Sequence, residues 1–302
     1  MHAFKHLALA AVLSASATVA QAELVYGITT DGRLGSFDSG NAGNVTFVGA
    51  ITGLNAGDTL RGIDFRPSDG QLYAMSTNAA GTTAHLYTLN LSTGVATAIG
   101  AGITLTGNSS TRVSLDFNPV ANALRVVTGS GQSYRVNANT GALIAQDTNI
   151  SGNPLISGVA YNKNVVGATQ TTLYAYDFLR DKVGTIGGIN GVPSPNTGVF
   201  NTVGSSGIVT GNAGSGFDIS GVTGIGYFSG DDFIGTPDNE PEFFSVNLGT
   251  GAFTKIGDFG SVDMLDFSVA INAPMRVSAP GTLSLAALGL WAAGALRRRR
   301  AA

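Results

Sequence analysis

Four aspartates recur in nearly the same local setting: Ile63-Asp64-Phe65, Leu115-Asp116-Phe117, Phe217-Asp218-Ile219 and Leu265-Asp266-Phe267. A carboxylate between apolar neighbours is costly in a core unless it is paired, hydrogen-bonded or put to use. Three kinds of chemistry fit. Carboxylates gathered around an axis are hard oxygen ligands for a cation such as calcium. Two held at a fixed separation are the acid and base of a glycoside hydrolase. Or each accepts backbone N–H groups, or pairs with an arginine such as Arg61 or Arg112, and only fastens the structure. Recurrence in register favours the last, because acid–base catalysis needs two carboxylates in unlike environments rather than a near-symmetric set.

A second acidic cluster, Asp231, Asp232, Asp238, Glu240 and Glu242, shares one long loop. It would offer calcium a flexible set of oxygens, but it follows neither the EF-hand nor the nonapeptide calcium pattern. A solvated loop is expected there, and no confident metal site or cofactor follows. His85 is the only histidine beyond residue 22, so a His-rich metal site is excluded, and the residue reads as decorating a strand. The complete absence of cysteine rules out disulfides, thiolate metal sites and cysteine nucleophiles. The glycine-rich runs 204–207 and 211–216 lack a Lys-Ser or Lys-Thr pair, so they are not phosphate loops.

The aspartate spacings of 52, 102 and 48 imply a unit of about 51 residues with one aspartate missing, and Gly158-Val159-Ala160-Tyr161 is the copy that lacks it. Further elements recur with it: Leu72-Tyr73-Ala74, Leu124-Arg125-Val126, Leu173-Tyr174-Ala175 and Ile225-Gly226-Tyr227. Turns at Thr93-Gly94, Thr140-Gly141, Thr197-Gly198 and Thr250-Gly251 enter short alternating runs such as 95–99, 199–203 and 252–256. Period-two alternation, β-branched and aromatic enrichment and punctuating Gly, Asn and Pro read as four short strands per unit, with helix content near zero.

The fifth unit has one strand, 264–271, and the N-terminal runs 24–28, 33–37 and 45–48 supply the three it lacks. That complementation closes a ring and leaves only short protected edges. The predicted fold is all-β: a five-bladed β-propeller of four-stranded blades, with a β-sandwich or β-helix as the alternative. The segment from Ile63 to Tyr73, with Pro67, Asp69 and Gly70 between two strands, resembles a signature found in many propeller families. The body as a whole resembles an exported bacterial family known only as a domain of unknown function, which implies a fold but no activity.

The two ends read as addresses. Residues 1–22 carry Lys5 in a short basic start, an apolar run, and Ala20-Gln21-Ala22. This is a secretory signal peptide, with signal peptidase expected to cut between Ala22 and Glu23. Residues 277–302 run from Pro280-Gly281-Thr282 through an apolar stretch to Arg297, Arg298, Arg299 and Arg300. The stretch is marginal for a membrane span, and the arginines would stay cytoplasmic. The layout resembles the PEP-CTERM sorting signal, with Ser278-Ala279-Pro280 where that family has Pro-Glu-Pro. The resemblance implies transient inner-membrane anchoring by a transmembrane helix, processing by an exosortase, and association with extracellular polysaccharide.

Residues 23–276 are therefore expected to be one propeller domain. They hold 11 Lys/Arg against 19 Asp/Glu, a formal charge of −8, which argues against nucleic acid and against electrostatic docking on anionic lipid. The sequence leans away from an enzyme. It reads as a cell-surface, outer-membrane-associated or extracellular-matrix binding or scaffolding protein. The alternative is a carbohydrate-active hydrolase or lyase using the inner-strand aspartates.

Overall fold

The computed structural model describes residues 21–106, 112–210, 216–232, 241–271 and 276–277. The expected signal peptide and sorting tail therefore lie outside the described residues, apart from their edges at 21–22 and 277. Among the described residues no helix is long and apolar enough to cross a membrane. Ala22–Arg276 is one compact unit. It is a five-bladed β-propeller, each blade a sheet of four antiparallel strands.

From the innermost strand outward, blade I is Thr59–Phe65, Leu72–Thr77, Thr83–Leu89 and Ala96–Thr104. Blade II is Val113–Asn118, Ala123–Thr128, Ser133–Val136 and Leu143–Gln146. Blade III is Ile156–Tyr161, Leu173–Asp177, Lys182–Ile186 and Phe200–Ser205. Blade IV is Gly216–Ile219, Gly226–Gly230, Glu242–Val246 and Phe253–Asp258. Blade V joins Met264–Val269 to Leu24–Thr29, Arg33–Asp38 and Asn41–Ala50, with Val25 opposite Val269 and Ile28 opposite Asp266. The ring closes by the complementation the sequence implies. The only helical elements described are single 3-10 turns at Ile189–Gly191 and Pro195–Thr197.

Five buried apolar clusters hold the ring, one between each pair of neighbouring blades. Tyr73 of blade I against Phe117 of blade II is typical, edge-on at 4.9 Å. A large side chain fully buried in this way contributes about 1.5–3 kcal/mol. Inner strands are therefore largely buried on both faces, while outer strands such as Phe200–Ser205 are half-exposed.

The Thr-Gly turns do more than reverse the chain. In blades I, II and IV each is preceded by an asparagine whose side-chain oxygen accepts backbone N–H groups of the turn: Asn90 from Ser92 and Thr93, Asn137 from Asn139, Asn247 from Gly249 and Thr250. The turn then abuts the outer strand of the preceding blade. A Cβ on Gly100 would collide with the carbonyl oxygen of Thr140, and Gly100 itself has φ of 69°. Several of the chain's 43 glycines thus serve the close approach of neighbouring blades.

In each blade the inner strand runs from what we call the entry face to the exit face. On the exit face blade III departs from its siblings. Its first hairpin connection is 162–172, where blades I, II and IV use 66–71, 119–122 and 220–225. Its last connection is 187–199, where blades I, II and IV use 90–95, 137–142 and 247–252. The two enlarged loops meet, with Lys163 Nζ donating to Asn190 Oδ1 at 2.8 Å and Asn190 N donating to Thr172 Oγ1 at 2.8 Å.

Candidate functional site

The inner strands bring the repeated aspartates to the central channel, where the backbone N–H groups of each strand's free edge also point. Asp64 Oδ2 accepts the Phe117 N–H of blade II at 2.7 Å, and Asp116 accepts the Tyr161 N–H of blade III at 3.0 Å. Asp218 Oδ2 accepts the Val269 N–H of blade V at 2.6 Å. The circuit closes when Ser268 Oγ accepts the Phe65 N–H of blade I at 3.2 Å. Blades I, II, IV and V each hand an acceptor to the strand beside them. Arg61 and Arg112 serve elsewhere: Arg61 donates to Thr77 Oγ1, and the Arg112 guanidinium lies over the Phe178 ring.

This circuit corrects the register of the repeat in blade V. The ring position there is Ser268, and Asp266 sits two residues earlier on the strand. Asp266 accepts the Ile63 N–H at 2.9 Å, one layer nearer the entry face. Its carboxylate fills space that blades I and IV leave open, since a Cβ on Gly62 or Gly216 would come within 2.6 or 2.7 Å of it. Ser114 of blade II occupies the same layer and accepts the Val159 N–H at 2.8 Å. Blade III has Ala160 at the ring position and offers no acceptor. Its neighbour compensates, because Asp218 Oδ1 takes the Ile219 N–H of its own strand at 2.6 Å.

The ring is electrostatically crowded. Asp64, Asp116 and Asp218 are buried, and each places one oxygen within 4.8 Å of the others. Burial first, then the charges of the neighbouring carboxylates, push Asp64 and Asp116 well above the usual carboxylate range. Burial likewise raises Asp218, against the backbone amides that hold its charged form. Asp266 is also pushed well up by desolvation, opposed by the amides of Ile63 and Phe267. Ser268 Oγ donates to Asp64 Oδ1 at 2.8 Å or to Asp218 Oδ2 at 3.0 Å, and its single proton cannot serve both at once. A ring that shares protons or holds a cation relieves this repulsion, and oxygens at 2.3–2.6 Å from a calcium ion span about this separation.

Of the second acidic cluster, Asp238 and Glu240 lie outside the described residues. Asp231, Asp232 and Glu242 are described, and Glu242 is buried. Glu242 accepts the Asp232 N–H at 2.7 Å and pairs with Lys255 at 3.3 Å, so it closes the base of the loop. At the expected signal cleavage point, Ala22 and Glu23 are buried. Glu23 accepts from Ser220 Oγ, from Thr223 Oγ1 at 2.9 Å and from Tyr227 Oη at 3.0 Å, tying blade V to blade IV.

One polar cluster escapes the sequence reading. His85 Nδ1 lies 2.7 Å from Oδ2 of Asp58, whose side chain is buried and also accepts from Ser76 Oγ at 2.5 Å and Tyr87 Oη at 3.3 Å. A serine nucleophile needs the imidazole between hydroxyl and carboxylate. Here the carboxylate sits between, so the imidazole is not the partner of the Ser76 hydroxyl and the relay order is broken. A cavity of about 390 Å3 adjoins Asp58, lined also by Asp31, Arg61 and Leu265. Asp58 precedes the first inner strand, outside the repeated tripeptide, and only the lone histidine signalled the cluster.

Several solved structures are similar to this chain at low identity. The nidogen/laminin complex structure contains a chain with 9% identity and a TM-score of 0.49, covering 84% of this chain and 100% of that one. A putative 6-phosphogluconolactonase from Bacteroides uniformis has 15% identity and a TM-score of 0.42, covering 83% and 71%. The Malassezia sympodialis allergen Mala s 1 has 13% identity and a TM-score of 0.45, covering 77% and 74%. No curated protein matches the chain. A family profile matches residues 33–268, from the third strand of blade V around the ring to its innermost strand, and the chain belongs to that family, the Domain of unknown function (DUF4394).

Proposed function

We propose that the chain is an exported binding or scaffolding propeller, without catalytic activity, that works at the cell surface or in the extracellular polysaccharide matrix. One observation carries the non-catalytic part: all four repeated aspartates accept a backbone N–H from a neighbouring blade. Carboxylates committed to amides fasten the ring. The hydrolase or lyase alternative draws on the same aspartates and loses its support with them. Export rests on the sequence patterns at the two ends. The expected cut before Glu23 would remove no blade strand, which suits a mature chain that begins where the propeller does.

The test is fractionation of cells making the full chain or a variant lacking 277–302, with N-terminal sequencing and glycan-array binding of the released protein. Exported protein beginning at Glu23, retained in the envelope only with its tail and held by at least one glycan, is expected. A cytoplasmic product that keeps Met1 would overturn export, and an array without binding would overturn polysaccharide association.

The grouping of Asp64, Asp116 and Asp218 favours a second reading, a hard cation such as calcium held in the channel. Calcium would then raise the melting temperature and chelator lower it, by about 2.7 kcal/mol of stability at a hundredfold excess over Kd. A melting curve indifferent to both leaves the ring to shared protons.

A further inference from the structure

Blades III and IV present opposite surfaces at their two ends. Their exit-face loops, 162–172, 187–199, 220–225 and 247–252, hold one charged residue, Lys163, and no acid. At the entry face the same blades and the link to blade V carry Arg180, Asp181, Asp232 and Asp263, none of them buried. Apolar exposure runs the other way. Val166, Ile189, Val192 and Val222, all in the exit loops, are 68%, 58%, 79% and 52% exposed, and Val165 and Ile225 are exposed in the same loops. On the entry face of these two blades only Leu179 and Val209 are comparably bare among the described residues. The exit-face side chains are gathered rather than scattered. Val165, Val166 and Val222 border one cavity of about 230 Å3 together with Ile271, and Asn190, next to Ile189, ties its loop to Lys163 and Thr172 of the other.

An apolar patch of this kind on a soluble domain marks an interaction surface, and its make-up selects the partner. Loops without acids can meet a bilayer with no carboxylate to desolvate or to repel anionic headgroups. The formal charge of −8, which argues against lipid when summed over the body, is not carried by these loops. The inner strand of blade V ends on the same face, with Val269, Ala270 and Ile271 in the wall of that cavity. From Ile271 the chain reaches Leu283 within about 40 Å even when fully extended, and there the apolar run 283–296 and its four arginines begin. A tail held in a membrane therefore draws the exit face toward the lipid. We propose that the exit-face loops of blades III and IV lie on the lipid bilayer, with Val166, Ile189, Val192 and Val222 in its interfacial layer. This rests on the reading of the chain as a tail-anchored surface protein and deepens it, because it turns the acidic entry face outward.

The chain has no cysteine, so single cysteines can report on each face. The full chain with a hexahistidine after Ala302 is held on phosphatidylcholine vesicles by a nickel-chelating lipid, whether or not its own tail inserts. A nitrobenzoxadiazole label is placed at Val166→Cys, Val192→Cys or Leu179→Cys, and nitroxide-bearing lipid is the quencher. Quenching at 166 and 192 should be at least about threefold stronger than at 179, which is 63% exposed on the entry face. It should be unchanged in about 0.5 M salt, because contact of this kind does not depend on charge. Adding Val222→Asp should bring it down toward the level at 179, since a carboxylate resists leaving water. All four replaced side chains are exposed, so melting temperatures should match the parent's. Equal quenching on the two faces, or more at 179, would overturn the proposal. So would labels at 166 and 192 that turn blue with rising protein concentration without vesicles, since a second copy would then cover the patch. Flotation on vesicles lacking the nickel lipid tests the tail by itself, and failure there would refute the anchor while the quenching still decides the face.

Discussion

Around the channel, five blades meet one requirement with interchangeable groups. Asp64, Asp116 and Asp218 supply carboxylates, Ser268 a hydroxyl, and blade III only Ala160, with Asp218 covering the amide left over. On the exit face the same blade III behaves in the opposite way, since its enlarged loops have no counterpart in blades I, II or IV. In the ring the residues vary while the bond persists; in the loops the backbone itself departs from the repeat. Repetition therefore marks what the ring needs to stand, and departure marks where a partner is to be sought.

Substitutions can break that contrast, and the largest effect belongs to the architecture. Gly100→Ala should cost on the order of 3–4 kcal/mol, because it strains a positive φ and drives a methyl into the Thr140 carbonyl; a denaturant melt checks it. Asp64→Ala should cost roughly 2–3 kcal/mol, by leaving the buried Phe117 N–H without its acceptor, and the loss should shrink as pH rises through the raised folded pKa, where relief from repulsion offsets it.

Asp116→Asn should instead stabilise, by on the order of 1 kcal/mol at pH 8. The sign follows from linkage. The folded protein holds the Asp116 carboxyl above its unfolded pKa, so the stability of the protonated ring is complete below that unfolded value and drains away as pH rises through the folded one. Asparagine resembles the protonated acid at every pH, so the difference in melting temperature should vanish near pH 4 and grow toward pH 8. A gap that grows toward acid would reverse this account. Replacing 163–170 by an Asn-Gly turn should have the smallest effect on stability, below about 1 kcal/mol. A collapse of stability there would make the loop architecture after all.

Much of the ring was legible in the sequence because strands announce themselves by period two and blades by the recurring tripeptide. The same periodicity hid the register error in blade V. Asp266 and Ser268 lie two residues apart and on one face of their strand, and Leu265-Asp266-Phe267 imitates the repeat more closely than the segment that fills the slot. The partner of each carboxylate was beyond reach, since a backbone N–H has no residue type to find. Asp58 and His85 are single residues made significant only by segments folded against them.

Closure also sets an order of events. Leu24–Thr29, paired with Arg33–Asp38 on one edge, waits on the other for Met264–Val269, the last blade strand to be made. Until then Asp218 lacks the Val269 amide, Asp64 lacks the Ser268 hydroxyl, and the Phe65 amide has no acceptor. Such long-range pairing is slow, and meanwhile an open arc exposes two sheet edges to other chains. A chain cut short anywhere before Val269 therefore fails as an aggregating arc rather than as a smaller propeller, and the meeting of its first and last strands is the final step of its assembly.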